Sequence, residues 1–285
     1  MIDMVPFSRQ ARLLGAALIC LVAAPAYAQD SSPWVVEAHS SARLLAGSRN
    51  GTVLLGGLEI KLEKGWKTYW RTPGDSGVPP RFDFAKSENV EAVTVLWPAP
   101  MKFDDGAGGF SIGYKKDVLI PLRIALKNPD KPVVLRLHLD YAVCEKLCVP
   151  VESQIELPFV SVASTEDSTL SAAMDTVPKP ASVGDPNPLT IRDVKRSGDK
   201  RVEVDVVAPH DKDKNKDKDV ALFVEGPTPD WALPIPKRIN GGGADIQRFA
   251  FDLEGLPAGA TSTGAALKFT LASGGRGYEF NVNLP

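Results

Sequence analysis

The sequence predicts an all-β protein, two β-sandwich domains joined by a proline-rich linker that carries a short helix. Three observations lead there. Short segments alternating apolar and polar residues recur along the chain and outnumber amphipathic helical patterns. Glycine and proline, 24 of each, punctuate those segments with turns. About 257 residues follow an N-terminal export signal, a length that suits two domains of ordinary size. The predicted boundaries are a signal peptide over 1–28, a first sandwich over 29–162, a linker over 163–187 and a second sandwich over 188–285.

The signal reads as follows. Arg9 and Arg12 form a basic start, residues 13–24 an apolar core, and Ala26-Tyr-Ala28 a cleavage site before Gln29. The core is too short to span a bilayer. The arginines are not adjacent, so the Sec route is expected, with the periplasm as destination and no membrane insertion after cleavage. Cys20 lies in this core and is expected to leave with it, so that Cys144 and Cys148 remain as the cysteines of the mature chain. Losing Arg9, Arg12 and Asp3 leaves 31 basic and 34 acidic residues, a net charge of −3. That balance excludes a nucleic-acid binder by charge.

In order along the first domain, residues 34–62 read as two or three strands, with an Asn50-Gly51 turn signal between them. Residues 65–80 carry Trp66, Tyr69 and Trp70 and then a Pro/Gly-rich loop, rigid and surface-lying. Strand alternation places both tryptophans on one face, filling the core, with Tyr69 facing out. Residues 90–97 and 118–126 are strands. Between them, 101–114 is a glycine-rich loop with Phe103, Asp104, Asp105 and Phe110; no helix follows, so it does not fit a phosphate cradle. Residues 133–139 alternate as a half-buried strand with the leucines on one face and His138 on the other, and 151–160 form its neighbour.

The connection between these last two strands is Tyr141-Ala-Val-Cys-Glu-Lys-Leu-Cys-Val-Pro150. Two features of Cys144 and Cys148 follow from the spacing. The pair does not open a helix, so it lacks the dipole that lowers thiol pKa in a thioredoxin-type Cys-x-x-Cys. On a straight strand the two would lie roughly 13 Å apart, whereas a disulfide needs Cα atoms within about 7 Å, so a bonded pair demands a tight turn. So small a ring stabilises by only about 2 kcal/mol in the chain-entropy model. A structural staple and a disulfide opened by a partner's thiols are both compatible with this.

In the second half, Ser164 or Thr165 is placed to cap a short helix, and the prolines of 178–188 mark the linker. Strands follow around 189–194, 201–208, 220–225, 249–253, 266–272 and 278–284, suggesting a second sandwich. The alternating acids and lysines of 211–219 form a solvated loop. The proline-rich stretch 227–236 with Trp231 is a stiff surface segment able to pack on the first domain. His39, His138 and His210 are scattered and lack catalytic partners in sequence.

Gly65-Trp-x-Thr-Tyr-Trp-Arg-x-Pro-Gly-Asp-Ser-Gly-x-Pro-Pro80, Trp97-Pro98, Gly113-Tyr114 and the Val-Cys-Glu-x-x-Cys-Val-Pro run at 143–150 resemble the N-terminal periplasmic region of the DsbD/ScsB family of protein-disulfide reductases. The resemblance implies an immunoglobulin-like sandwich whose cysteine pair, here Cys144 and Cys148, relays electrons between a thioredoxin-like or membrane electron-transfer donor and periplasmic acceptors, without cofactor or metal. It implies Cys148 as the sulfur that meets partners and a cap loop shielding the pair, with Phe103 and Phe110 both candidates for the cap. Asp104 and Asp105 resemble acids beside that cap, whose field would keep thiol pKa values high, and Tyr69 matches an aromatic position near the cysteines. The Cys-x-x-x-Cys spacing resembles the ScsB branch, associated with copper tolerance, while the wider family is linked to cytochrome c biogenesis. The family's membrane and thioredoxin-like domains are not seen in this sequence, so a separate donor is expected. Two thiolates also suit Cu(I), but methionine is scarce beyond residue 28, with Met101 and Met174 alone there. Copper binding, or an interaction domain with a structural disulfide, stands as the alternative.

Overall fold

A computed structural model describes residues 30–49, 51–106, 108–159, 163–208, 220–241 and 245–285. The expected signal peptide with Cys20, His210 and the charged loop at 211–219 lie outside the described residues. The first half forms β1 (Val35–Glu37), β2 (Ser40–Ala46), β3 (Val53–Leu62), β4 (Lys67–Gly74), β5 (Arg81–Asp83) and β6 (Val90–Val95), followed by β7 (Met101–Asp104), β8 (Phe110–Tyr114), β9 (Val118–Leu126), β10 (Val133–Cys144) and β11 (Cys148–Phe159). They build two facing sheets, β1-β2-β3-β9-β6 and β11-β10-β4-β8-β7, with β5 pairing β10 beyond the end of its contact with β4. Inward-pointing Leu135, Leu137, Leu139, Tyr141 and Val143 of β10 meet Leu44, Leu58, Ile120 and Leu122 from the other sheet in one core. The period-two alternation read from the sequence is thus the pattern of a sandwich with one wet face per sheet.

Three expectations are corrected here. The strands flanking the cysteines run further than the apolar alternation suggests, because Asp140 to Cys144 continue the ladder even though alternation lapses at Ala142. Twelve consecutive pairs, from Val133↔Phe159 to Cys144↔Cys148, join β10 to β11. The stretch 101–114 is a hairpin, β7 to β8, and only its glycine-rich middle is a loop. Finally, Ser164 and Thr165 do not cap the helix α1 (Asp167–Met174). Its N-cap is Glu166, which makes no side-chain capping bond, while the Ser164 hydroxyl donates to Ala46 O at 2.6 Å and that of Thr165 to Asp30.

The stretch expected as a linker holds two ordered elements. α1 lays Leu170 and Ala173 inward and hangs on the first sandwich through Asp167, which accepts hydrogen bonds from Ser48. β12 (Lys179–Ala181) then joins a second pair of sheets, running parallel to its neighbour. These contain β13 (Thr190–Ser197), β14 (Arg201–Val207), β15 (Ala221–Glu225), β16 (Lys237–Ile239), β17 (Ile246–Asp252), β18 (Ala266–Ser273) and β19 (Arg276–Asn283), in orders β12-β19-β18-β15 and β13-β14-β17-β16. Their own core centres on Val202, Val204, Phe251, Phe269 and Phe280. The two halves touch firmly: Phe223, Ile235 and Ala272 of the second unit are buried within the core of the first. In the 227–236 segment, Trp231 packs on the second core while Ile235 reaches the first.

Candidate functional site

Cys144 ends β10 and Cys148 begins β11, and the two are the last directly opposed pair of the ladder. A three-residue connection, residues 145–147, closes the hairpin, so the tight turn demanded by the spacing is supplied by the sheet itself. The sulfurs lie 2.7 Å apart, with Cys148 exposed and Cys144 half-buried. At the tip, Leu147 is 76% exposed. Burial pushes the Cys144 thiol above its ordinary value and the hydrogen bond with Cys148 adds to this; the Tyr69 hydroxyl and the Lys67 charge act the other way.

β4 brings the next two residues. It pairs β10 only at Thr68↔Val143 and Lys67↔Cys144, with the buried Thr68 hydroxyl donating to Ala142 O at 2.9 Å. Alternation then turns Thr68 and Trp70 into the core and Lys67 and Tyr69 onto the cysteine face. Trp70 is fully buried and Trp66 packs against the same core, as the spacing suggests. Tyr69 departs from expectation: it leaves the core but does not face solvent. It is 3% exposed, and its Oη lies 3.0 Å from Cys148 Sγ. Its cover is the Pro/Gly-rich loop, since a Cβ at Gly77 (φ 135°) would stand 2.5 Å from the Tyr69 ring and 3.0 Å from Pro73 Cβ. Only glycine lies this flat on a ring. Burial, then hydrogen bonding to Cys148 and Cys144, pushes the Tyr69 phenol far above its usual pKa. Tyr69 therefore remains a donor at any physiological pH.

The β7–β8 hairpin separates the remaining candidates. Pairing Phe103↔Ser111 and Met101↔Gly113, with Gly113↔Tyr69, puts Phe103 on the cysteine face of the sheet. Phe103 is 5% exposed and belongs to neither core; the ammonium groups of Lys67 and Lys115 lie 5.0 and 5.4 Å from its ring centroid. Phe110, of opposite parity, packs against the first core instead. Asp104 and Asp105 follow Phe103 directly in the hairpin. Asp104 accepts from Gly106 N, and Asp105 accepts from Gly109 N and the Ser76 hydroxyl. Asp105 thereby fastens the hairpin turn to the loop over Tyr69, while Asp104 bonds within the turn. Lys67 was not singled out from the sequence. Its i, i+2 relation to Tyr69 on a strand was the signal available. Among the described residues, no group of three or more histidines, cysteines or carboxylates is arranged to hold a metal ion.

A sandwich of immunoglobulin type, with a dithiol at the turn end of its longest hairpin and a buried phenol against one sulfur, defines a thiol-bearing β-sandwich module. Residues 40–159, the part that carries the cysteines, match the family described as Thiol:disulfide interchange protein DsbD, N-terminal. The crystal structure of the N-terminal periplasmic domain of ScsB from Proteus mirabilis aligns with a TM-score of 0.69 and 22% identity, covering 90% of this chain and 98% of that one. The shared fold therefore extends through the second unit. A conserved domain protein from Bacillus anthracis aligns over 86% of this chain and 77% of its own, at 10% identity and a TM-score of 0.23. Comparison with curated proteins gives no match.

Proposed function

We propose that this protein is a periplasmic thiol–disulfide exchange protein, relaying electrons between a thioredoxin-like or membrane donor and periplasmic acceptor proteins through Cys144 and Cys148. The observation that carries the reading is the asymmetry of the pair: one exposed sulfur with a hydroxyl donor 3.0 Å away, one half-buried sulfur behind it. A partner thiolate attacks Cys148 of the disulfide, the S–S bond breaks, and Cys144 leaves as a thiolate that takes up a proton. The partner's second thiolate then attacks its own sulfur in the mixed disulfide and releases Cys148 as a thiolate, which is protonated in turn. Two electrons and two protons have passed from the partner dithiol to this pair, and the reverse sequence hands them on. Tyr69 donates to Cys148 whenever that sulfur carries negative charge, which makes it a better leaving group. The raised Cys144 pKa keeps that thiol protonated in the reduced pair and slow to react with adventitious oxidants. The match of residues 40–159 to a thiol:disulfide interchange family supports exchange as the chemistry.

The test is the redox equilibrium of the pair, read by thiol alkylation after incubation in graded thiol/disulfide buffers. A midpoint above about −300 mV, the region below which structural disulfides fall, together with rapid reduction by a thioredoxin-like donor and mixed-disulfide trapping on Cys144→Ser, is the expected result. A disulfide that resists both buffer and donor would remove the proposal.

A further inference from the structure

Two residues beyond Tyr69, β4 meets the second unit. Arg71 Nε donates to Glu225 Oε1 at 2.9 Å and Nη2 to Glu225 Oε2 at 2.7 Å, a bidentate pair; Nη2 also donates to Glu279 at 2.5 Å. The Thr72 hydroxyl adds a bond to Glu225 at 2.9 Å. Arg71 stacks over the Trp70 ring at 4.2 Å, and Trp70 in turn meets Phe223 of β15 at 5.8 Å between centroids. At the end of the strand, a Cβ on Gly74 would lie 3.3 Å from Ile235. Burial works to lower the Arg71 pKa, but the two carboxylates outweigh it and hold the group above its ordinary value. Residues 70–74, the bridge between Tyr69 and the loop that covers it, are thus held from outside the first sandwich.

That grip falls where the first sandwich holds the strand least. β4 has only two pairs with β10, and its register with β8 breaks between Tyr69 and Gly74. A strand leaving its sheet at that point needs another anchor to keep a phenol within hydrogen-bond reach of a sulfur. We infer that the second unit is a working part of the thiol site, and that Arg71 is a positioning residue through which Glu225 and Glu279 hold Tyr69 on Cys148. The inference rests on the exchange function proposed above and assigns the second unit its role in it.

The experiment uses the full chain and compares wild type with Arg71→Met, Glu279→Gln and Tyr69→Phe, each also in a Cys144→Ser background. The readouts are the pH profile of Cys148 alkylation, the equilibrium with glutathione buffers, and the melting temperature. Arg71→Met is expected to shift the alkylation profile in the same direction as Tyr69→Phe and to slow mixed-disulfide formation by about tenfold, the size of one hydrogen bond to a charged group. The Tyr69→Phe, Arg71→Met double variant is expected to match Tyr69→Phe alone. Glu279→Gln, which leaves the bidentate pair intact, provides a milder change and is expected to move the profile the same way by a smaller factor. It keeps the test open if Arg71→Met does not fold. A lowered melting temperature with unchanged profile and equilibrium in both variants would overturn the inference while leaving the exchange function standing. A wild-type pair that does not exchange would instead remove the function itself.

Discussion

Tyr69 shows how much a single side chain depends on what covers it. Alternation along β4 fixes its face, yet the cover comes from a loop that returns over the strand, and local pattern carries no information about that return. Among the described residues the hydroxyl is the one donor recorded at Cys148, which itself donates to Cys144, so Tyr69→Phe is expected to slow exchange at Cys148 by about tenfold, measured as the rate of mixed-disulfide formation, with little change in melting temperature. Gly77→Ala forces a Cβ into that ring at a backbone angle L-residues avoid. It is expected to expose Tyr69, read as increased accessibility of the ring by fluorescence quenching. The thiols also make a pH prediction. The folded pKa of Cys144 is raised above its usual 9.0, so its contribution to stability is fully present below that value and is lost as pH rises through the folded pKa. The melting temperature of the reduced protein should therefore fall above about pH 9, and the disulfide-bonded form, in which Cys144 does not titrate, should lack this component. The acids at 104 and 105 were legible as a pair beside the expected cap loop, but their hydrogen-bond partners were not. They accept from Gly106 N and Gly109 N, two and four residues on, and Asp105 also from the Ser76 hydroxyl of the loop over Tyr69.

The β10–β11 hairpin is the element most plainly written in the sequence, because Val133, Leu135, Leu137 and Leu139 make one face of β10 apolar before the cysteines. The β7–β8 hairpin was not legible. Its strands are only four and five residues long, and the glycines between them dominate the local pattern. Gly113 shows why that short hairpin nevertheless forms. A Cβ there would stand 2.0 Å from Thr68 O, so the glycine allows β8 to lie hard against β4. Gly113→Ala is expected to destabilise by about 2–4 kcal/mol, as overpacking against backbone does, and to loosen β4 at the cysteine end, checked by chemical denaturation and amide exchange at Thr68 and Tyr69. The proline-rich stretch after α1 misleads for a related reason. Prolines mark turns well, but β12 makes a parallel pairing with β19, nearly 100 residues away in sequence, and no local rule anticipates such a partner.

For the whole molecule, the two units share a wall. Phe223, Ile235 and Ala272 complete the core of the first, so the full chain is expected to unfold in one calorimetric transition. Trp70→Ala, expected to cost about 3–5 kcal/mol, should lower that single transition and not split it. Two resolved transitions in the wild type would show that the shared wall contributes little. The twelve pairs of the cysteine hairpin have a consequence of their own. Folding free energy and sulfur chemistry are joined in a closed cycle: whatever the bond adds to the stability of the fold, the fold must add to the stability of the bond. Since the ladder already holds the two sulfurs together, the short ring contributes about 2 kcal/mol at most, equivalent to roughly 40 mV at 30 mV per 1.4 kcal/mol. The pair can therefore pass its electrons back and forth while the sandwich around it keeps nearly the same stability in either state, an accumulator whose housing does not feel the charge.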